Sequence, residues 1–254
     1  MTTTGRDSAI ARTHPAVLTD FDDTAAVQNV AELLLNQFGD PGWKEVRQRF
    51  RDGHMSLKEY QEITFRNIQA DRATMQSYVK DHANLRPFFR ELWSFCQTND
   101  IPMAVVSQGL DFYIEAALER EGLDRVPVYA VNTEFRGGEI SYHYHHTYPG
   151  KEDQGNSKGF VVESFQKRGC YVFFAGDGHS DMEAARVADV TFAHRSLAKF
   201  CDEEGIAYRP FADFSGVLVS VREFSKNGHG STNGRQPTER GGGTVIDRYS
   251  RPAM

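Results

Sequence analysis

The chain has 254 residues, 39% hydrophobic and 25% charged, an ordinary globular balance with room for one large domain or a core carrying an insert. Its net charge of −6 argues against a duplex-binding protein, since phosphate backbones call for a basic face, but leaves room for a small phosphorylated ligand in a local pocket. No apolar run approaches the roughly 20 residues of a membrane span, and Cys96, Cys170 and Cys201 form no C-x-x-C pair, which points to a reducing compartment without a disulfide framework.

In chain order, residues 1–14 are polar, lack the apolar stretch of a secretory signal and are expected to fray; the cytoplasm is the expected location. Pro15–Phe21 reads as a buried strand that runs into Asp20-Phe21-Asp22-Asp23-Thr24. Alternation aims Asp20 and Asp22 to one side and turns Phe21 into the core. Burying an unpaired carboxylate costs several kcal/mol, so such a cluster calls for a cation or a proton. Two acids side by side can divide labour, one as nucleophile and one as acid or base.

From Gln28 to His82 only helical patterns occur, four in number, with a capping box at Ser56 and Glu59 and a cap at Asp71. Placed directly after the acidic loop, this insert is expected to hang over it as a lid. Arg47, Arg49 and Arg51 read as a solvated face from which one side chain can reach a substrate. Pro87 is expected in the first turn of a helix Pro87–Gln97 whose Phe88, Phe89, Trp93 and Phe95 pack in the core.

Strand Ile101–Ser107 ends in Ser107-Gln108-Gly109, a hydroxyl and backbone N–H groups suited to an anion. Helix Leu110–Arg120, strand Val126–Asn132 and a hairpin within Glu134–Tyr148, turning at Gly137-Gly138, follow. His143, His145 and His146 lie in that hairpin without the further ligands a zinc site would need. Lys158 opens helix Ser157–Lys167, where the helix dipole disfavours a cation unless an anion pairs with it. Strand Tyr171–Ala175 leads into Gly176-Asp177-Gly178-His179-Ser180-Asp181, then helix Ser180–Ala188, strand Asp189–Ala193 and helix Ser196–Glu204. Asp181 sits where it can cap a helix, whereas Asp177 completes with Asp20 and Asp22 an oxygen-rich site suited to Mg²⁺. A calcium-hand reading of Asp20, Asp22 and Thr24 fails, because its sixth position is Ala25 and its twelfth Ala31. Residues 223–254, rich in Gly, Ser and Asn, read as a disordered tail.

The alternation predicts an α/β fold, a doubly wound parallel sheet formed by 15–27 and 83–222, with 28–82 as an inserted helical bundle and the active edge at the strands' carboxyl ends.

Four ordered motifs, Asp20-Phe21-Asp22-Asp23-Thr24, Ser107, Lys158 and Gly176-Asp177-Gly178-His179-Ser180-Asp181, resemble those of the haloacid dehalogenase superfamily of phosphatases, over about residues 15–220. The resemblance implies that Asp20 attacks phosphorus and that Asp22 protonates the leaving oxygen and then activates water. Ser107, with Gln108 and Gly109, and Lys158 would hold the phosphoryl oxygens. Mg²⁺ would sit on Asp20, the Asp22 carbonyl and Asp177, supported by Asp181 and Thr24. The insert resembles the cap of the phosphoserine-phosphatase-like branch. Within it, Gly109-Leu110-Asp111-Phe112-Tyr113, the hairpin before Lys158, and Phe192-Ala193-His194-Arg195-Ser196-Leu197 resemble the methionine-salvage phosphatases. Asp23 stands where glycine is commoner, and Gln28-Asn29 where those phosphatases usually carry an acid. The expected partner is a small phosphorylated metabolite, with neither nucleic acid nor membrane. A phosphomutase or phosphotransferase would use the same nucleophile, and a non-catalytic ligand-binding protein is the rival of another class.

Overall fold

The computed structural model describes residues 12–228. Seven strands, β1 (His14–Thr19), β2 (Met103–Leu110), β3 (Val128–Arg136), β4 (Glu139–His143), β5 (Cys170–Gly176), β6 (Val190–Ala193) and β7 (Tyr208–Pro210), form one sheet in the order β4-β3-β2-β1-β5-β6-β7. All neighbours are parallel except β3 and β4. The central strands are apolar on both sides because both faces are covered. Val17, Val105 and Phe173 enter one hydrophobic cluster, while Ala16, Leu18, Ala104, Val106, Val172 and Phe174 enter another. Period-two alternation thus divides each strand between two cores.

Ten helices accompany the sheet among the described residues. Four, α1 (Val30–Phe38), α2 (Trp43–Arg51), α3 (Leu57–Arg66) and α4 (Arg72–His82), follow one another between β1 and β2. Their starts are written locally: Asn29 accepts the Glu32 N–H, Ser56 and Glu59 form a reciprocal capping box, and Asp71 accepts the Thr74 N–H. The others are α5 (Phe89–Thr98), α6 (Asp111–Arg120), α7 (Lys158–Gln166), α8 (Met182–Val187), α9 (Arg195–Glu204) and α10 (Ser215–Gly228). Because β1 lies between β2 and β5, the chain's winding reverses there, and a crevice at the carboxyl end of β1 is the expected ligand position.

Several boundaries differ from expectation. The first strand stops at Thr19, because Phe21–Ala25 turns through a wide irregular coil closed by Ala25 N–H to Asp20 O and Ala26 N–H to Phe21 O. Residues 12–14 are not frayed: Arg12 pairs with Asp189, Thr13 bonds Gly169 O, and His14 begins β1. The rest of the expected flexible N-terminus, 1–11, lies outside the described residues. Pro87 precedes α5 in a turn, and Phe88, expected in the core, adopts φ +66° and is 42% exposed. The strand and hairpin expected separately merge in β3, which turns through Gly137-Gly138, both at positive φ, into β4. The short strand β7 went unpredicted. Residues 223–228 are not tail but the end of α10, where Phe224 stacks on Tyr171 at 4.5 Å. The remainder of that tail, 229–254, lies outside the described residues. Among the described residues no helix is long and apolar enough to cross a membrane, and the three cysteines are buried free thiols.

Candidate active site

Asp20 is the first residue past β1, and its N–H still bonds Ala175 O of β5, which fixes it at the sheet edge. Its side chain is buried, 4% exposed, with Oδ1 2.6 Å from Lys158 Nζ. Burial raises the Asp20 pKa well above the usual carboxylate range; nearby Asp181 adds to the effect and Lys158 opposes it.

Lys158 is itself 2% exposed and divides its donors among Asp20, Asp181 Oδ1 at 2.6 Å and Ser180 Oγ at 3.0 Å. Burial works against its charge, but Asp181 and Asp20 outweigh that and hold the ammonium above its ordinary pKa. The lysine that looked misplaced at a helix start is therefore neutralised by two acids from other loops. Asp181 is fully buried and spends Oδ2 on the N–H groups of Asp177 and Gly178, both at 2.9 Å. It makes no side-chain cap bond to α8, the role expected of it, and instead shapes the loop that presents Asp177.

Oxygens of Asp20, Asp177 and Asp181 lie within 4.8 Å of one another. Three hard oxygen donors this close, two of them fully or nearly buried, suit a divalent cation such as Mg²⁺. Asp177 shows the crowding: burial first, then Asp181 and Asp23, push its pKa up to about 6. The Thr24 hydroxyl lies 3.5 Å from Asp20 Oδ2 and 3.4 Å from Asp177 Oδ1, between two of the three. The Asp22 carboxylate, expected among the metal ligands, stands outside this group, while Asp181, expected only in support, joins as a carboxylate.

Asp22 faces the four-helix insertion. Its Oδ1 accepts the Val30 N–H at 2.6 Å and the Ala31 N–H at 3.3 Å, at the start of α1, and its Oδ2 accepts the Tyr113 hydroxyl at 2.9 Å. Burial pushes its pKa up to about 6 although these three donors pull the other way. Gly109 is required here: a Cβ at that position would meet Tyr113 Oη at 2.0 Å.

Ser107 is buried, and its Oγ accepts the Gly109 N–H at 2.9 Å within an irregular stretch of β2. Gln108 ties the loop on both sides: its carbonyl accepts from Gln61 of α3, and its Nε2 donates to Asn156 O beside Lys158.

Sequence reasoning missed Tyr113, Gln61, Arg86 and Arg195. Arg86 donates to the carbonyls of Asp23, Thr24 and Ala212, clamping the acidic loop. Arg195 Nη1 lies 2.5 Å from Asp23 Oδ1 and 3.5 Å from Asp177 Oδ2. Asp23 and Arg195 both have left-handed backbones, φ +61° and +50°, which cost of order 1–3 kcal/mol each. Only the φ at Asp23 had a local signal, since glycine, commoner there, and aspartate both tolerate that region.

A cleft of about 590 Å³ runs from Asp177 and Arg195 to α1 and α2, lined there by Glu32, Arg47 and Arg51. Arg47 pairs with Glu32 at 2.6 Å, while Arg49 is exposed and not part of the lining. Of the hairpin histidines, His146 packs on Tyr129, and His143 and His145 stack on each other; none is a member of the acidic cluster.

Residues 17–186 match the haloacid dehalogenase-like hydrolase family. A 2-hydroxy-3-keto-5-methylthiopentenyl-1-phosphate phosphatase of Exiguobacterium sibiricum is 28% identical over 208 residues, 80% of this chain and 94% of that protein. Its counterpart from Lysinibacillus sphaericus is 26% identical over 222 residues, 85% of this chain and 97% of that one. Among solved structures, a phospho-aspartyl intermediate analogue of phosphoserine phosphatase superposes with a TM-score of 0.62 at 18% identity, covering 82% of this chain and 99% of that one. A substrate-bound phosphoserine phosphatase gives 0.61 at 17% identity, covering 82% and 98%. With the family matched over two thirds of its length and the four motifs gathered at one sheet edge, the chain belongs to the haloacid dehalogenase-like hydrolases.

Proposed function

We propose that this protein is a Mg²⁺-dependent phosphatase that hydrolyses a small phosphate monoester through an aspartyl-phosphate on Asp20. The observation that carries the reading is the buried Asp20–Lys158–Asp181 ion cluster with Asp22 two residues beyond the nucleophile. Lys158 holds the Asp20 carboxylate in one orientation, and its charge offsets that of an arriving phosphoryl group. An Asp20 oxygen attacks phosphorus as the ester oxygen leaves, and Asp22 gives that oxygen a proton. A water then attacks the phosphorus while Asp22, now ionised, takes its proton, and free phosphate departs from a regenerated Asp20. Ser107 and the N–H groups of its loop orient the phosphoryl oxygens. Mg²⁺, held by Asp20, Asp177, Asp181 and the Asp22 carbonyl, would supply charge neutralisation for the phosphoryl group.

We read α1–α4, within 28–82, as a cap on a core of 15–27 and 83–222, since Gln61 and the start of α1 touch the catalytic loops from that side. The relatives named for 2-hydroxy-3-keto-5-methylthiopentenyl-1-phosphate make that enol phosphate the first substrate to assay. Three buried free thiols suit a reducing compartment, and the cytoplasm is the proposed location.

The test is phosphate release from that ester and from an aryl phosphate. Asp20→Asn is expected to lower kcat by at least about 10³-fold, and EDTA to abolish turnover until Mg²⁺ is restored. Full activity in Asp20→Asn would overturn the assignment.

A further inference from the structure

We propose that Asp23 and Arg195 form a positioning pair. Arg195 shares its guanidinium between Asp23 and Asp177, and so sets both the cation affinity of the acidic cluster and the seat of α1 above Asp22. The proposal rests on reading Asp20, Asp177 and Asp181 as a divalent-cation site.

Asp23 is held through every polar group it has. Its N–H donates to Gln28 O at 3.2 Å, its carbonyl accepts from Arg86, Oδ1 meets Arg195 and Oδ2 accepts Asn29 Nδ2 at 3.2 Å. Asn29 uses its own oxygen to cap α1 on the Glu32 N–H. The first N–H groups of that helix, from Val30 and Ala31, are the ones that bond the Asp22 carboxylate. A continuous set of polar contacts therefore runs from Asp177 through Arg195, Asp23 and Asn29 to Asp22. Two of its members sit in left-handed backbone, which aspartate tolerates but arginine does not favour, so at Arg195 the side-chain pairing is what the local fold is built to keep.

Charge placement makes the same case independently. Four carboxylates, Asp20, Asp23, Asp177 and Asp181, share two cations. Lys158 contacts Asp20 and Asp181, and Arg195 contacts Asp23 and Asp177. Among the described residues no other cationic group lies within 4 Å of the Asp23 or Asp177 carboxylate. Arg195 is thus the contacting counter-charge of the outer half of the cluster, competing there with any bound divalent ion, while Lys158 and Arg86 act on the same acids from further away. Removing it leaves Asp23 and Asp177 without a contacting cation and strengthens cation binding, even as the seat of α1 loosens. Neutralising Asp23 removes one acid and frees Arg195 to turn wholly onto Asp177, which weakens cation binding. A purely structural pair would shift both variants the same way.

Binding of Mn²⁺ to the full chain, followed by the paramagnetic resonance signal of the free ion, reads this directly. Arg195→Gln is expected to bind Mn²⁺ roughly tenfold tighter and Asp23→Asn several-fold weaker than wild type, with lower kcat in both. Arg195→Lys should bring the affinity back towards the wild-type value. If Arg195→Gln fails to fold, as a thermal melt would show, Asp23→Asn against Arg195→Lys carries the comparison. Affinities that move in one direction for both members, or an Asp23→Asn affinity equal to wild type, overturn the pair. A wild type that releases phosphate yet binds no Mn²⁺ removes the cation reading and this proposal with it, but leaves Asp20 as nucleophile.

Discussion

At the scale of single residues, the site is governed by how buried charges find partners. Lys158 costs free energy to bury and is kept charged by Asp20 and Asp181, and the same contacts orient the Asp20 carboxylate, the proposed nucleophile. Asp22 depends on Tyr113, whose hydroxyl passes through the space that Gly109 leaves open. Tyr113→Phe is expected to lower kcat roughly tenfold with little change in folding, since the ring still fills its buried place. Gly109→Ala should lower it at least as much, because the new Cβ would drive the hydroxyl off Asp22. The double variant should be no worse than Gly109→Ala alone, as the closest clashing atom is then gone and only the ring carbon at 2.9 Å must give way; steady-state kinetics of all three would show additive losses if the two residues acted separately. Asp20, Asp22, Asp177 and Lys158 stood out in the sequence because each breaks a local expectation, acids after an apolar strand and a lysine at a helix start, whereas Ser107 and Asp181 stood out through their places in the ordered motifs. Tyr113 and Arg195 break none, and their roles come from contacts 91 and 172 positions away.

At the scale of elements, strand and helix types followed from apolar runs and caps, while the ends were set by contacts that periodicity does not carry. β1 stops one residue before Asp20 because the next backbone groups close an irregular coil. α10 runs five residues past position 223 because Phe224 finds Tyr171 and Phe173 of β5, burial that composition alone does not reveal. Phe224→Ala is expected to cost about 1–3 kcal/mol, read as a lowered urea midpoint with an unchanged slope. On α3, the capping box is closed within four residues and was legible as such. Ser56→Ala should cost about 1 kcal/mol, and a midpoint shift of that order in the same melt would check it.

At the scale of the whole molecule, the sheet brings loops from β1, β2, β5 and β6, together with the start of α7, to one edge, and helices α1 and α3 touch Asp22 and Gln108 there. Proton uptake on acidification acts on this packed state. Burial, with His145 nearby, pushes the His146 pKa down to about 4, and burial with Arg86 and Arg195 does the same to His194. Both rings fold neutral, so their contribution to stability is present above the unfolded pKa of about 6.5 and is lost as pH falls from there towards 4. For His146, whose ring partly meets water, this amounts to about 1–2 kcal/mol. Melts from pH 7 to pH 4.5 should therefore fall less steeply for His146→Gln than for wild type, and parallel curves would contradict this.

Local chemistry by itself determined the alternation of apolar runs and helical patterns, the inserted helices, the glycine turn of the hairpin and the four motifs, because strand and helix periods and caps are properties of neighbouring residues. Tertiary structure alone decided that Asp181 rather than the Asp22 carboxylate joins Asp20 and Asp177, that Tyr113 reaches Asp22, and that Arg195 bridges Asp23 and Asp177. These depend on where separate loops end on a shared sheet edge, and on backbone conformations that only packing can hold in place.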